Sequence, residues 1–309
     1  LMLAHADTVF PDGTAKARPF RIEGNRAYGP GVADDKGGVV LGLHALSLLK
    51  ENDFQSFERM TFMINPDEEK SSLESRDMIR ALAKSHQYAL SLEPGKPVDE
   101  IVNWRKGSGR LTMEVFGRSS HAGSAPQKGR NATIELAHQL IQLEGKLDDP
   151  AKMTTVNWTA LERTKTPHNV IPDYAAVLSS VRVLYPEEWD RLLKDAEKIS
   201  RNRLVPDTRV RFKLFIGRPP FPKNEGTDRL TSHLQKIYAD EMGLRLGVNG
   251  TGGAGDANHA ADVGAITVDG LGIVGDNAHS PNEWIDVDSI VPRLYLLTRI
   301  LMDLGSGKL

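Results

Sequence analysis

Short apolar runs alternate with longer segments that carry one apolar face through the first third of the chain. "LMLAH" at the start and "MTFMIN" ending at residue 65 hold nearly consecutive apolar residues, as strands covered on both faces do. Between them, "VVLGLHALSLLK" (39–50) follows two glycines and predicts a helix with a broad apolar face. "SLESRDMIRALAK" predicts a second helix and "YALSLE" a third strand. Strand, helix, strand, helix, strand implies an α/β fold, a mainly parallel sheet with flanking helices. In such sheets, sites lie beyond the carboxyl ends of the strands.

Residues 108–217 carry a different pattern. "RLTMEVF" predicts a strand, "NATIELAHQLIQLEGKL" an amphipathic helix, and "MTTVNWTALE" and "YAAVLSSVRVL" two more strands. "PEEWDRLLKDAEKISRNRL" starts with Pro and acids, as helix first turns do. "TRVRFKLFI" alternates, with Val210, Phe212, Leu214 and Ile216 on one face. The order βαββαβ predicts a ferredoxin-like domain inserted into the first. Residues 218–309 resume the α/β pattern with a helix ending at Gly243, the strand "AITVDGLGI" and a final helix near Pro292. Two domains follow: 1–107 with 218–309, and 108–217.

Bulk properties narrow the function. A formal net charge of -2 without any basic run argues against a nucleic-acid or membrane-surface partner. No apolar run approaches the ~20 residues of a membrane-spanning helix. With 0 cysteines, any transition metal must be held by His, Asp or Glu. "LMLAHADTV" opens inside a strand with no cap or leader, so a preceding segment is expected, and localisation stays open with it.

Five side chains of ligand type fall at predicted strand ends or in tight loops: His5, Asp34, Glu69, Glu93 and His279. Two imidazoles and three carboxylates suit a pair of zinc ions that share one carboxylate. A hydroxide between two such ions would be a nucleophile at neutral pH. Each residue alone also fits a structural role. The acid run Asp67, Glu68, Glu69 fits either a solvated turn or a cation site.

"HADTV", "GPGVADDKGG", "NPDEEKSS", "LSLEP", "SSHAG" and "NAHSPNEW" occur in that order. Through these motifs the whole chain resembles the co-catalytic di-zinc peptidases. That family includes acetylornithine deacetylase, aminoacylase and the bacterial glutamate carboxypeptidase that cleaves folates, and the motifs stand nearest the last. The resemblance implies a zinc-peptidase-like catalytic domain holding two zinc ions per subunit. It implies His5 and Glu93 on one zinc, Glu69 and His279 on the other, and Asp34 bridging both. Asp7 would orient His5, and Glu68 would be the general base. The Asp34–Asp35 peptide is expected to be cis, and Asp67 structural. If the adjacent glutamates continue a strand, they point in opposite directions and can take different roles.

The resemblance also makes the inserted domain a lid through which two copies dimerise. His121 would cross that interface to stabilise the oxyanion, and Asn169 and Arg182 would hold a substrate carboxylate. Gly252, Gly253 and Gly255 would offer backbone amides to it. Relatives usually carry Ser or Thr where this chain has Gly255. The implied activity is a carboxypeptidase releasing a glutamate-type residue from a small molecule or short peptide with a free carboxylate. An N-acyl-amino-acid deacylase uses the same machinery and is the alternative, as is an inactive binding protein of this fold.

Overall fold

The computed structural model describes residues 1–162 and 166–309. The chain forms two compact units: Leu1–Arg105 with Phe221–Leu309, and Lys106–Pro220. Arg105 and Phe221 exchange two backbone hydrogen bonds of 2.9 Å, which closes the first unit where the chain leaves and returns.

The first unit is built on a four-stranded parallel sheet, in the order Ile266–Val268, Tyr88–Ser91, Met2–His5, Phe62–Asn65. Met2–His5 is buried at every position. Successive side chains point to opposite faces. Met2 and Ala4 therefore join one core with Leu90, Leu234, Leu296 and Ile300, while Leu1 and Leu3 join another with Ile79, Ala83 and Ala260. Helices Gly38–Glu51, Glu225–Met242 and Ile290–Gly305 supply the first core, and Arg76–Lys84 and Asp256–Asp262 the second. Both faces of the strand are dry, which is why its sequence shows no polar alternation. Each fully buried Leu or Ile here contributes roughly 1.5–3 kcal/mol.

Helix ends follow local chemistry. The Asn224 side chain accepts from the Thr227 N–H at 3.0 Å and starts Glu225–Met242. Gly243, at φ 66°, stops it where the sequence places its end. The helix expected from residue 72 begins only at Arg76, because the Asp67 carboxylate takes the N–H groups of Glu74 and Ser75 at 2.9 and 3.2 Å.

The expected α/β class holds with a parallel central sheet, but the sheets of the first unit are not all parallel. Glu100–Arg105 and Gly247–Thr251 pair in parallel as a separate sheet. A further four-stranded sheet, Gly275–Asp276, Trp284–Asp286, Arg26–Tyr28 and Arg21–Glu23, is antiparallel throughout. Strands of two or three residues are too short to show a period of two, so the pattern gave no sign of them. The expected strand "AITVDGLGI" likewise shrinks to Ile266–Val268.

The second unit has one antiparallel four-stranded sheet, in the order Arg209–Arg218, Gly107–Phe116, Tyr174–Val183, Thr155–Leu161. Helices Ala132–Leu143 and Glu188–Ile199 share its core through Leu136, Leu143, Trp189 and Leu192, packed with Leu111, Met113, Val177 and Val181. Where the pairing of Tyr174–Val183 shifts register, the Ser179 hydroxyl donates to the Leu111 carbonyl at 2.9 Å and accepts from its N–H at 3.2 Å. Phe212 is buried, with Val210 and Leu214 against the core, but Ile216 is exposed. The ladder slips between Ile216 and Arg218, and the apolar face ends there. No helix among the described residues is long and apolar enough to cross a membrane.

Candidate metal centre

His5 ends the central strand, and its ring is held among carboxylates. Its Nε2 lies 2.8 Å from Asp34 Oδ1 and 3.8 Å from Glu93 Oε1. Glu93 follows the adjacent strand Tyr88–Ser91. His279, from the loop before Trp284–Asp286, places Nε2 3.1 Å from both Asp34 Oδ2 and Glu69 Oε2. Two groups result, His5–Asp34–Glu93 and Asp34–Glu69–His279, each with its ligand-type atoms within 4.8 Å of one another. Asp34 belongs to both, with one oxygen toward each histidine. The Asp34–Asp35 peptide is cis.

Two further carboxylates tie the loops together. Asp7 Oδ1 lies 3.2 Å from His5 Nδ1, and the same carboxylate accepts from the Glu68 and Glu69 N–H groups at 3.2 and 3.1 Å. The Asp7 backbone carbonyl also lies 3.2 Å from His5 Nδ1 and is its hydrogen-bond partner, so Asp7 meets the ring through main chain and side chain while its carboxylate anchors the acid loop. Glu283, absent from the residues singled out in the sequence, accepts from the N–H groups of Gly31, Ala33 and Asp34 at 2.8, 2.9 and 3.0 Å. Its place inside "NAHSPNEW" was the available signal. Asp67, besides Glu74 and Ser75, takes the Asn65 side-chain amide at 3.4 Å, a scaffold role.

Glu68–Lys70 is a 3-10 turn, not a strand end. Successive side chains there diverge by about 120° rather than alternating. Glu68 and Glu69 still point apart, for a different reason from the one the strand pattern suggested. Glu68 is only 7% exposed.

Burial and crowding shape the charges. Glu93 is pushed up to about 7, first by burial and then by the Asp34 charge, against the pull of Arg105 and His5. Burial works against the His5 imidazolium, yet the hydrogen bond to Asp34 and the charges of Glu93, Asp35 and Asp34 push its pKa up to about 11. Burial and then Asp34 raise Glu69. Asp35 is fully buried, accepts from the His5 N–H at 3.3 Å, and is raised well above the carboxylate range by burial and then by Glu93. Arg105, also missed, donates from Nε to Asp269 and from Nη1 to the Gly253 carbonyl at 3.2 Å. It places a buried cation near Glu93 and ties down the Gly-rich loop.

The Gly-rich loop borders the first group, because a Cβ built on Gly255 would lie 3.6 Å from Glu93 Oε1. Gly252, Gly253 and Gly255 follow the strand Gly247–Thr251. The Gly255 N–H donates to Asn258 Oδ1 at 2.9 Å and the Gly253 N–H to Thr251 Oγ1 at 3.3 Å, so both amides are engaged inside the chain. In the second unit, His121 and Asn169 are neighbours: Ser120–His121 pairs with Val170–Ile171, and the Ala122 N–H donates to the Asn169 carbonyl at 2.9 Å. His121 Nδ1 accepts from the N–H groups of Gly123 and Ser124 at 3.1 and 3.2 Å. Arg182 is the penultimate residue of the strand Tyr174–Val183 and donates to Val181 O at 3.0 Å. Its pKa is lowered by burial and then by Arg218.

The two groups fit divalent cations. The donors are imidazole nitrogens and carboxylate oxygens, with no thiolate in the chain. Glu69 Oε1 is buried without a hydrogen-bond partner, as an oxygen awaiting a cation would be. Asp34 turns its two oxygens to different groups, as a shared carboxylate must.

Comparison with known proteins points the same way. The model of the family described as Peptidase family M20/M25/M40 matches residues 1–303. The chain is similar to carboxypeptidase G2 of Pseudomonas sp. (strain RS-16), 39% identical over 311 residues, covering 100% of this chain and 74% of that protein. It is also similar to succinyl-diaminopimelate desuccinylase of Maricaulis maris, 26% identical over 319 residues, covering 97% of this chain and 80% of that protein. Among solved structures, aminopeptidase PepT from Bacillus cereus matches with a TM-score of 0.79 at 23% identity, covering 98% of this chain and 80% of that one, a likeness of fold.

Proposed function

We propose a reaction for this chain on the premise that it belongs to peptidase family M20/M25/M40, a membership shown by the match over residues 1–303. It is a metallopeptidase of that family. The reaction we assign is hydrolysis of an amide bond whose nitrogen belongs to an amino acid with a free carboxylate, of glutamate type. The observation that carries this reading is the pair of ligand-type groups sharing Asp34, with Glu68 one residue from Glu69.

His5, Asp34 and Glu93 would hold one zinc ion, and Asp34, Glu69 and His279 a second. Bound there, two such cations polarise a carbonyl and acidify water. Glu68 takes the proton of the attacking water and delivers it to the leaving nitrogen. Asp7 fixes its backbone for that task, because the Glu68 N–H is hydrogen-bonded to the Asp7 carboxylate.

The second unit is assigned as the lid through which two copies form a homodimer. In neutral His121, two N–H groups occupy Nδ1, so Nε2 carries the proton and can donate to an oxyanion in the second copy's site. Arg182 and Asn169 hold the substrate carboxylate. Support for Arg182 is its half-buried guanidinium, with no carboxylate at salt-bridge distance among the described residues. A planar guanidinium can give a carboxylate two parallel hydrogen bonds. Of the Gly-rich loop, Gly252 stays in the proposal.

The similarity to a desuccinylase favours N-deacylation as the second reading. Both reactions release an amino acid and differ in the acyl side. The test holds glutamate constant in zinc-loaded protein and varies the acyl group from aminobenzoyl and peptidyl to acetyl and succinyl. Faster cleavage of aminobenzoyl and peptidyl amides supports the carboxypeptidase. Preference for acetyl or succinyl shifts the assignment to a deacylase, and no cleavage of any by protein holding two zinc ions refutes both.

A further inference from the structure

We propose that Glu283 is a positioning residue for the metal centre. It clasps the loop that carries Asp34 to the loop that carries His279, and so sets the geometry of the Asp34–Glu69–His279 group. The inference rests on the metal reading above, because it gives the clasp its purpose.

The Asp34 loop cannot hold itself. Gly31, Ala33 and Asp34 open the segment Val32–Gly37, where N–H groups have no acceptor one turn back, and Asp34 and Asp35 then leave the helical region at φ/ψ of -114°/91° and -132°/28°. Glu283 supplies the acceptors. Its side chain is almost wholly buried, with Oε2 on the Gly31 N–H and Oε1 on the Ala33 and Asp34 N–H groups. Successive main-chain donors converging on one anion form a concave nest, and here the anion comes from the protein. Gly31 allows the turn: it sits at φ 74°, and a Cβ there would come within 2.5 Å of Thr8 Cγ2.

The other end of the clasp is just as short. Glu283 follows His279 by four residues, and the chain between them is folded into tight turns. The Ser280 N–H donates to Asn277 O at 3.1 Å, the Asn282 N–H to Ser280 Oγ at 3.2 Å, and the Glu283 N–H to Ser280 O at 3.3 Å. Anchoring Glu283 therefore anchors the His279 backbone. The need is specific to this side of the centre. His5 sits on the central strand with its ring buried, whereas the His279 side chain is 53% exposed and comes from a loop. Among the described residues, His279 lies in no helix or strand, and this framework of turns holds it at 3.1 Å from Asp34 and Glu69.

Glu283→Gln tests the clasp with little change in size. A glutamine presents one acceptor oxygen and one NH2, so at least one of the three contacts becomes donor against donor. Orienting partners of metal ligands typically cost about 10–100-fold in metal affinity when removed. The experiment titrates the full chain, stripped of metal, with Zn2+ by calorimetry and with Co2+ by visible absorption. Wild type is expected to take two ions. Glu283→Gln should weaken the second about 10–100-fold and the first less, because Asp34 serves both groups while His5 and Glu93 keep their places, with the Co2+ spectrum altered most for the second equivalent.

A wild type that takes no second ion overturns the metal reading and this inference with it. A wild type with two ions, and a variant that binds both as tightly, overturns the inference alone. Equal weakening of both ions, with a lower melting temperature of the metal-free variant, also overturns it, because Glu283 would then serve the fold at large. If Glu283→Gln fails to fold, Glu283→Asp keeps two acceptor oxygens at shorter reach and should weaken the second ion less. A folded Glu283→Asp chain with wild-type affinity for the second ion would count against the clasp.

Discussion

Loading the centre with metal should drive protons off the protein, in a number that changes with pH in a defined way. In the metal-free chain, His5 has its pKa pushed up to about 11 and Glu93 to about 7. At pH 7 the site then holds one proton on His5 and about half a proton on Glu93. Ligands bind metal in their deprotonated forms, so these two residues alone should release about 1.5 protons per chain at pH 7. At pH 5 Glu93 is protonated and the share from these two residues rises to about 2; at pH 9 it is ionised and their share falls to about 1. The assay is calorimetric titration with Zn2+ in buffers of different ionisation enthalpy, whose slope gives the proton number directly. A count near zero at all three pH values refutes the reasoning, because it would mean that the site is already deprotonated or is not where the ions bind.

The same shifts fix a sign for stability. Glu93 keeps a proton in the folded metal-free chain that an unfolded chain releases at 4.5, and His5 does the same relative to 6.5. Both pKa values are raised on folding, so the stability each contributes is full below its unfolded value and is lost as pH climbs through its folded one. The Glu93 window runs from 4.5 to about 7 and the His5 window from 6.5 to about 11. The metal-free chain should therefore melt at progressively lower temperature as pH rises through these windows, and bound metal should flatten that slope.

Glu68→Gln removes the proposed proton carrier while leaving the residues of both ligand-type groups in place. Turnover should fall by about 10²–10⁴-fold while zinc content per chain stays at the wild-type value, and a variant retaining its rate would exclude Glu68 as the base. In the second unit, Glu188 accepts from Lys152 Nζ, Thr154 Oγ1 and Arg191 Nε at 2.8, 2.8 and 2.7 Å. Burial opposes its charge, but those partners, Arg191 first, hold its pKa down to about 2. That stability is present above 4.5 and lost as pH falls through about 2. Glu188→Gln should therefore cost about 1–3 kcal/mol at pH 7. The difference from wild type in thermal unfolding should shrink as the pH is lowered toward 2, and a gap that persists there would assign the cost to packing instead.

What was legible in the sequence divides along a physical line. Met2 to Ala4 showed consecutive apolar residues because both faces of that strand are dry, and this placed His5 at a strand end. The side chains that carry chemistry were legible by type, since imidazoles and carboxylates at loop positions are visible in one dimension. The antiparallel sheet through Arg26–Tyr28 was not, because three residues carry no period. Nor was the turn at Glu68–Lys70, where a strand was assumed and the two glutamates diverge through 3-10 geometry instead.

The residues that hold the chemistry in place were the hardest to see, for one shared reason. Glu283 acts on Gly31, Ala33 and Asp34 from about 250 positions away along the chain, and Arg105 acts on Asp269 from 164 positions away. Their partners are main-chain groups or a single distant acid, so neither leaves a local spacing or a cluster of like residues. Asp7 escaped this fate only because it lies in "HADTV", one of the motifs that carry the resemblance. Even so, its second task, receiving the N–H groups of Glu68 and Glu69, appeared only in three dimensions. A ligand is defined by what it is, and that is written at its own position. A clasp is defined by what it reaches, and that depends on how loops far apart in the chain are brought together. The two kinds of residue should therefore also differ in how they fail: loss of a proposed ligand such as Glu69 removes a donor outright, whereas loss of Glu283 leaves every donor present and lets their spacing drift.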